Sequence, residues 1–285
     1  MAAVNTVLGP GCRRPLTWGS HTLGGAFPLV ATATAGRTFP SILTQVQRAW
    51  SQGAEVIEVR LDHLSAGNTS LAQRWAHVAA ASRAFVHDPT PDSGRTIPGL
   101  LLTCRTSAEG GQGESDPRAY RALLLETLEA LAERGALPDA VDVEEKRGCL
   151  RELVAAGTQY GVDVVASAHE WSGTPSVEEL VERGQAMAAS GAHAVKIATM
   201  AHSPADTLTL LQATSELRAT LDIPLITMAM GRVGAATRLV GGQWGSALTF
   251  AAVRDEHGEQ HASAPGQMDM SLVRAVRAEL WAGSH

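Results

Sequence analysis

A chain of 285 residues with 45% hydrophobic content can bury a large core, and its formal charge of −6 with an isoelectric point near 5.9 leaves no basic footprint for nucleic acid. No apolar run approaches the roughly 20 residues of a membrane-spanning helix, so a soluble, cytoplasmic protein is expected, with neither a membrane nor a nucleic-acid partner. Cys12, Cys104 and Cys149 are widely spaced and the histidines form neither H-x-H nor H-E-x-x-H, so neither a disulfide framework nor a metal site is expected.

In chain order, residues 1–25 carry Arg13 and Arg14 but no continuous apolar segment, and read as a loosely ordered leader without a secretory signal. From residue 27 onward short apolar runs alternate with segments of helical period. Strands are predicted over 27–34, 55–61, 99–104, 140–143, 163–168, 192–197, 223–228 and 246–253, and helices over 41–52, 70–83, 117–134, 147–160, 176–190, 205–221, 235–241 and 271–281. Helix starts carry capping chemistry, as in Asp116-Pro117 and in Ser176 followed by Glu178 and Glu179. Gly184, inside a predicted helix, has no explanation at this level. Residues 87–98 and 254–262 are predicted surface loops.

Eight βα units without a change in composition imply one (β/α)8 TIM barrel over residues 26–285. A doubly wound open sheet is the alternative, although no G-x-G-x-x-G follows the first strand.

In a barrel the C-terminal strand ends converge on one mouth, so polar residues ending apolar runs carry the information. Lys196 stands in the run Ala-His-Ala-Val-Lys-Ile-Ala over 192–198. It is either a strand-end lysine, snorkelling or paired with a carboxylate, or a desolvated amine able to attack a carbonyl. Glu58, Arg60 and Asp62 alternate along the second strand and share a face, as an ion network or as ligand contacts. Asp142 and Glu144 share a face of the fourth strand, either as electrostatic support for neighbouring cations or in direct chemistry. Arg105 ends the third strand and leads into Thr106-Ser107-Ala108-Glu109-Gly110-Gly111, a turn whose glycines allow close approach. His169 ends the fifth strand, beside the strand of Lys196, and an imidazole next to an imine-forming amine is a general acid/base arrangement. Arg232 and Arg238 lie in a Gly-rich segment, and Ser263-Ala264-Pro265-Gly266-Gln267 suits a loop that folds over a ligand.

These segments, with Thr174-Pro175-Ser176, Ile226-Thr227-Met228, Arg238-Leu239 and Gly245-Ser246 in the same order, resemble the type I 3-dehydroquinate dehydratase family of Schiff-base barrels, akin in fold to class I aldolases. The resemblance implies that Lys196 forms an imine with the C3 ketone of 3-dehydroquinate. It implies that His169 takes the C2 proton and returns one to the departing C1 hydroxyl, oriented by Glu109. Arg238 would hold the substrate carboxylate, Ser263 and Gln267 would close over it, and Glu58, Arg60 and Arg105 would meet the ring hydroxyls. Met228, Met230, Trp171 and Phe250 would form apolar walls that keep the amine neutral. No cofactor beyond the imine is implied, and a homodimer of the shikimate pathway is. Trp171 departs from the phenylalanine expected after His169-Glu170. A class I aldolase of another kind, or a barrel that binds the acid without turning it over, are the competing readings.

Overall fold

The structure, a computed structural model, describes residues 10–64, 70–86 and 96–282. Residues 1–9 of the predicted leader and 87–95 of the first predicted loop lie outside the described residues. The chain enters through a hairpin of β1 (Leu16–Trp18) and β2 (His21–Leu23). Eight parallel strands follow: β3 (Leu29–Ala33), β4 (Val56–Arg60), β5 (Gly99–Thr103), β6 (Ala140–Glu144), β7 (Asp163–Glu170), β8 (Ala194–Met200), β9 (Leu225–Met230) and β10 (Leu248–Phe250). β3 to β9 pair in sequence order, and β10 pairs β3. The ring closes where Leu225 bridges Ser246 and the Ala247 N–H donates to the Leu225 carbonyl at 2.6 Å.

Six helices cross between consecutive strands: α1 (Phe39–Ser51), α2 (Leu71–Val86), α3 (Pro117–Glu133), α4 (Leu150–Tyr160), α5 (Val177–Ala189) and α6 (Pro204–Thr220). Local chemistry sets where several of them start. Thr38 with Ser41, Ser176 with Glu179 and Ser203 with Asp206 form reciprocal capping boxes, while Asp116 accepts from the Arg118 and Ala119 N–H groups ahead of α3. Gly184 also finds its reason. A Cβ there would stand 2.7 Å from Leu217 Cδ2, so the glycine lets α5 pack closely on α6.

The last units depart from the expected pattern. The single helix expected over 235–241 is split into α7 (Gly231–Gly234) and α8 (Thr237–Val240). The strand expected over 246–253 stops at Phe250, because Ala252 turns its backbone away from the barrel, donating to the Met268 carbonyl and accepting from the Met270 N–H. Within the predicted loop 254–262, β11 (Val253–Arg254) pairs with β12 (Gln260–His261), and α9 (Met270–Leu280) ends the described fold.

Two apolar compartments hold this together. One lies between barrel and helices; the other fills the lower barrel. In the lower barrel Val56, Ala140, Ala194 and Leu248 come from alternate strands, and Ala31, Leu101, Val165 and Ile226 from the strands between them, the layered filling of this fold. The hairpin belongs to this core. Trp18 and Leu23 are fully buried in it, Trp18 Nε1 donates to Asp163 Oδ2 at 2.9 Å, and the Gly19 N–H donates to Asp139 Oδ1 at 3.0 Å. Residues 16–23, placed in a loose leader on sequence alone, are instead packed against the floor of the barrel.

Candidate active site

Above the apolar layers, the same alternation brings in charge. Glu58 on β4, Asp142 on β6, Lys196 on β8 and Phe250 on β10 again come from alternate strands and meet inside the barrel. Lys196 Nζ donates to Glu58 Oε1 at 3.1 Å and to Asp142 Oδ2 at 3.2 Å, and lies 4.9 Å from the centre of the Phe250 ring. Lys196 is 3% exposed. Of the two alternatives for it on sequence, the pairing with carboxylates is present, at a buried position inside β8 and not at its end. The expected apolar seat is only partial, since two carboxylates touch the nitrogen.

The two carboxylates differ in what else they hold. Asp142 Oδ1 accepts from Arg105 Nη2 at 2.7 Å and from Ser167 Oγ at 2.6 Å. Burial works to raise the Asp142 carboxyl, but the Arg105 guanidinium and Lys196 outweigh it and hold the group well below the usual carboxylate range. Glu58 Oε1 accepts from Thr103 Oγ1 at 2.8 Å besides Lys196; among the described residues nothing donates to its other oxygen.

Arg105 is the hub of this network. Its Nη1 reaches Glu144 Oε1 at 3.0 Å and Ser167 Oγ at 3.1 Å, with Glu109 Oε2 at 3.7 Å. Glu144 also accepts from the Thr106 N–H and hydroxyl, at 2.7 and 2.6 Å. Asp142 and Glu144 therefore support neighbouring cations, one of the two roles open to them on sequence. Arg60 grips Asp62 through a two-pronged pair, both contacts at 2.7 Å, and Asp62 in turn accepts from the Arg105 and Gln112 N–H groups. The Glu-Arg-Asp series thus forms an ion network in which Asp62 fastens the 105–112 turn beside β4, while Glu58 and Arg60 also line the cleft.

That turn delivers Glu109. Its Oε2 lies 2.9 Å from His169 Nδ1 and accepts from the His169 N–H at 3.1 Å, while Oε1 is buried without a partner. Burial, reinforced by the nearby Glu144 carboxylate, pushes the Glu109 carboxyl up to about 7. Burial and the Arg105 and Lys196 charges hold the His169 imidazole well below its usual range, so the ring is a neutral base at neutral pH. His169 Cα pairs with Ala198 and Ser167 with Lys196, so the imidazole starts two residues, roughly 7 Å, nearer the mouth than the lysine. Gly110, at φ +83°, follows Glu109; a Cβ there would stand 2.3 Å from Trp171 Cζ2, and the indole lies against the turn at the rim.

Arg238, on α8, is 1% exposed and faces the same cleft. Its Nη2 donates to the Pro265 carbonyl at 3.2 Å, but Nε and Nη1 are buried without a partner, and burial lowers the guanidinium to about 10. Buried donors left unfilled beside a cleft are a ready seat for an anion. Ser263 and Gln267, on either side of Pro265 in the same loop, also line the cleft and bond to each other, Gln267 Nε2 donating to Ser263 Oγ at 2.9 Å. All nine candidate residues line this cleft, as do Met228, Met230, Trp171 and Phe250. Arg232 is exposed and does not. Sequence reasoning assigned no site role to Thr103 and Ser167, whose only signal is their alternation with Arg105 and His169 on the inward face.

No group of three or more metal-ligating side chains is assembled among the described residues, and no described helix is long and apolar enough to cross a membrane.

The sequence model of the type I 3-dehydroquinase family matches residues 30–280. A 3-dehydroquinate dehydratase of Klebsiella pneumoniae is 36% identical over 251 residues, 87% of this chain and 91% of the relative. Among solved structures, the 3-dehydroquinate dehydratase of Geobacillus kaustophilus superposes with a TM-score of 0.82 at 32% identity, covering 98% of this chain and 99% of its own. The type I 3-dehydroquinate dehydratase of Clostridium difficile with covalent modified comenic acid follows at 0.81 and 30% identity, covering 94% and 98%.

Proposed function

From the membership of this chain in the type I 3-dehydroquinase family, which makes it a hydro-lyase, we infer that it converts 3-dehydroquinate to 3-dehydroshikimate through an imine on Lys196. The observation that carries this reading is the single cleft gathering Lys196, the His169–Glu109 pair and an Arg238 guanidinium with unfilled donors. The covalently modified comenic acid of the Clostridium difficile relative supports covalent chemistry in the family.

The Lys196 nitrogen adds to the C3 carbonyl, and loss of water leaves a cationic imine. That cation is an electron sink, so the C2–H bond is acidified. His169 removes the C2 proton, the electron pair moves into an enamine, and the protonated imidazole then donates to the C1 hydroxyl as the C–O bond breaks. Hydrolysis frees 3-dehydroshikimate and Lys196. Glu109, bonded to Nδ1, leaves Nε2 as the working nitrogen and stabilises the imidazolium formed midway. Arg238 takes the substrate carboxylate, with Ser263 and Gln267 closing over that end. Glu58, Arg60 and Arg105 form the end that meets the ring hydroxyls. The imine supplies the electron sink, so the proposal needs no metal or organic cofactor. A cytoplasmic homodimer serving the shikimate pathway completes it.

Borohydride reduction with 3-dehydroquinate, followed by intact mass and peptide mapping, tests the mechanism. A ligand-sized adduct on Lys196, absent from Lys196→Ala together with nearly all turnover, is the expected result. Normal turnover in Lys196→Ala would end the proposal. A folded wild-type protein that gave no adduct would point to another keto substrate or to binding without turnover.

A further inference from the structure

Imine formation needs a proton acceptor before any chemistry at C2 begins. A lysine held between two carboxylates carries a proton that has to leave before the nitrogen can attack, and a proton has to return to the oxygen of the addition product before water departs. His169 starts two residues nearer the mouth and bonds to Glu109; the groups touching Lys196 Nζ are Glu58 and Asp142.

Those two are unequal. Asp142 accepts from Arg105, Ser167 and Lys196 and does not line the cleft. Such a carboxylate stays ionised and has little tendency to take up a proton and release it. Glu58 accepts from one neutral hydroxyl, Thr103, besides Lys196, and its carboxyl lines the cleft where the carbonyl has to sit. Resting on the imine mechanism above, we propose that Glu58 is the proton shuttle of imine formation, with Asp142 a fixed countercharge.

The steps balance. The Glu58 carboxylate takes a proton from the Lys196 ammonium at Nζ. The nitrogen lone pair forms the bond to C3 while the carbonyl π pair moves to oxygen. Glu58 gives its proton to that oxygen and takes one from the now cationic nitrogen, leaving a neutral carbinolamine. It then protonates the hydroxyl, the C–O bond breaks, water leaves and the nitrogen lone pair forms the C=N bond. Glu58 ends as a carboxylate beside the cationic imine, with no net proton gained or lost. Thr103, donating to Oε1, is a positioning residue that keeps this oxygen on Lys196.

The test is the single-turnover rate of adduct formation at saturating 3-dehydroquinate, trapped by borohydride at timed intervals. Glu58→Gln keeps the shape but cannot carry the proton, and its rate should fall by about 10²–10⁴-fold. Glu58→Asp, retaining a carboxylate, should be clearly faster than Glu58→Gln. A residue that only bound ring hydroxyls would raise the substrate concentration needed and leave the saturated rate unchanged. A folded Glu58→Gln with a wild-type saturated rate, or Glu58→Asp no faster than Glu58→Gln, overturns the assignment. Should Glu58→Gln fail to fold, Thr103→Val is the second arm: its saturated rate should fall by up to about 10²-fold, the cost of a reacting group misplaced by about 1 Å, and an unchanged rate overturns the shuttle. Absence of any adduct on wild-type Lys196 would instead remove the imine mechanism itself, so the two failures are distinguishable.

Discussion

The two ends of the barrel use one strand alternation for opposite purposes. At the floor, inward positions carry Ala, Val, Leu and Ile, sealed by the Trp18–Leu23 hairpin. One layer higher, the same alternation carries Glu58, Asp142 and Lys196. Burial at the floor stabilises the fold at roughly 25 cal/mol per Å² of apolar surface. At the mouth, burial of charge is costly unless each group is paired, and breaking a buried pair typically costs about 3–5 kcal/mol. The molecule therefore separates stability from reactivity along the barrel axis, and mutations at the two ends should fail in different ways.

The largest effect falls at the mouth. His169→Ala should lower kcat by about 10²–10⁴-fold, the usual contribution of a positioned acid/base, while the borohydride adduct on Lys196 still forms. Loss of the adduct in a folded His169→Ala protein would assign the imidazole to imine formation as well. At the floor the pattern inverts. Trp18→Ala removes a fully buried indole and its bond to Asp163, and should cost about 3–5 kcal/mol in denaturant unfolding. Below its melting range kcat should stay near wild type; a comparable loss of kcat would mean that the floor and the mouth are mechanically coupled.

Arg238 breaks the symmetry of this comparison. It is a buried cation at the mouth that meets no carboxylate among the described residues. Arg238→Met replaces it by an apolar chain that fills much of the same space. KM should rise about 10²-fold through loss of a charge-assisted bidentate contact, while the midpoint of unfolding holds or increases. Initial-rate kinetics and a denaturant titration on one preparation check both signs; a marked drop in the midpoint would show that Arg238 has a structural role.

The two ends were also unequally legible in the sequence. The repeat of apolar runs was enough for the barrel, because period-two strands and capped helices are local signals. Lys196 and His169 could be singled out because a polar residue inside or ending an apolar run is locally anomalous, whereas Glu109 and Arg238, in Gly-rich segments, gained their roles only from the family resemblance. What they touch was not legible. The pairing of Lys196 with Glu58 and Asp142 spans 138 and 54 residues, and depends on register across the ring. Trp18 gave no signal, since three-residue strands are too short for periodicity and their neighbours are distant in the chain. The diversion of Ala252 was hidden for the same reason: only its tertiary partners, Met268 and Met270, pull it from the wall.

The smallest effect concerns pH, and it separates the two members of the Glu109–His169 pair. Burial raises Glu109 to about 7 and lowers His169 below its usual range, so their contributions to stability have opposite signs. A carboxyl raised on folding binds more protons in the native state, and its contribution is lost as pH rises from the ordinary carboxylate range through about 7. An imidazole lowered on folding binds fewer, and its contribution is lost as pH falls below the ordinary imidazole range. The two partly cancel in unfolding, but not in the rate, which under the proposed mechanism needs neutral His169 and ionised Glu109 together. The acid limb of kcat/KM therefore belongs to the pair. Glu109→Gln removes the member that titrates near 7 and leaves the imidazole beside Arg105 and Lys196 without its carboxylate. Its acid limb should move to lower pH, with kcat lowered by less than in His169→Ala, because the imidazole itself is kept. An acid limb that stayed in place would assign the titration to another group, and one that moved upward would contradict the burial of His169 as a neutral base.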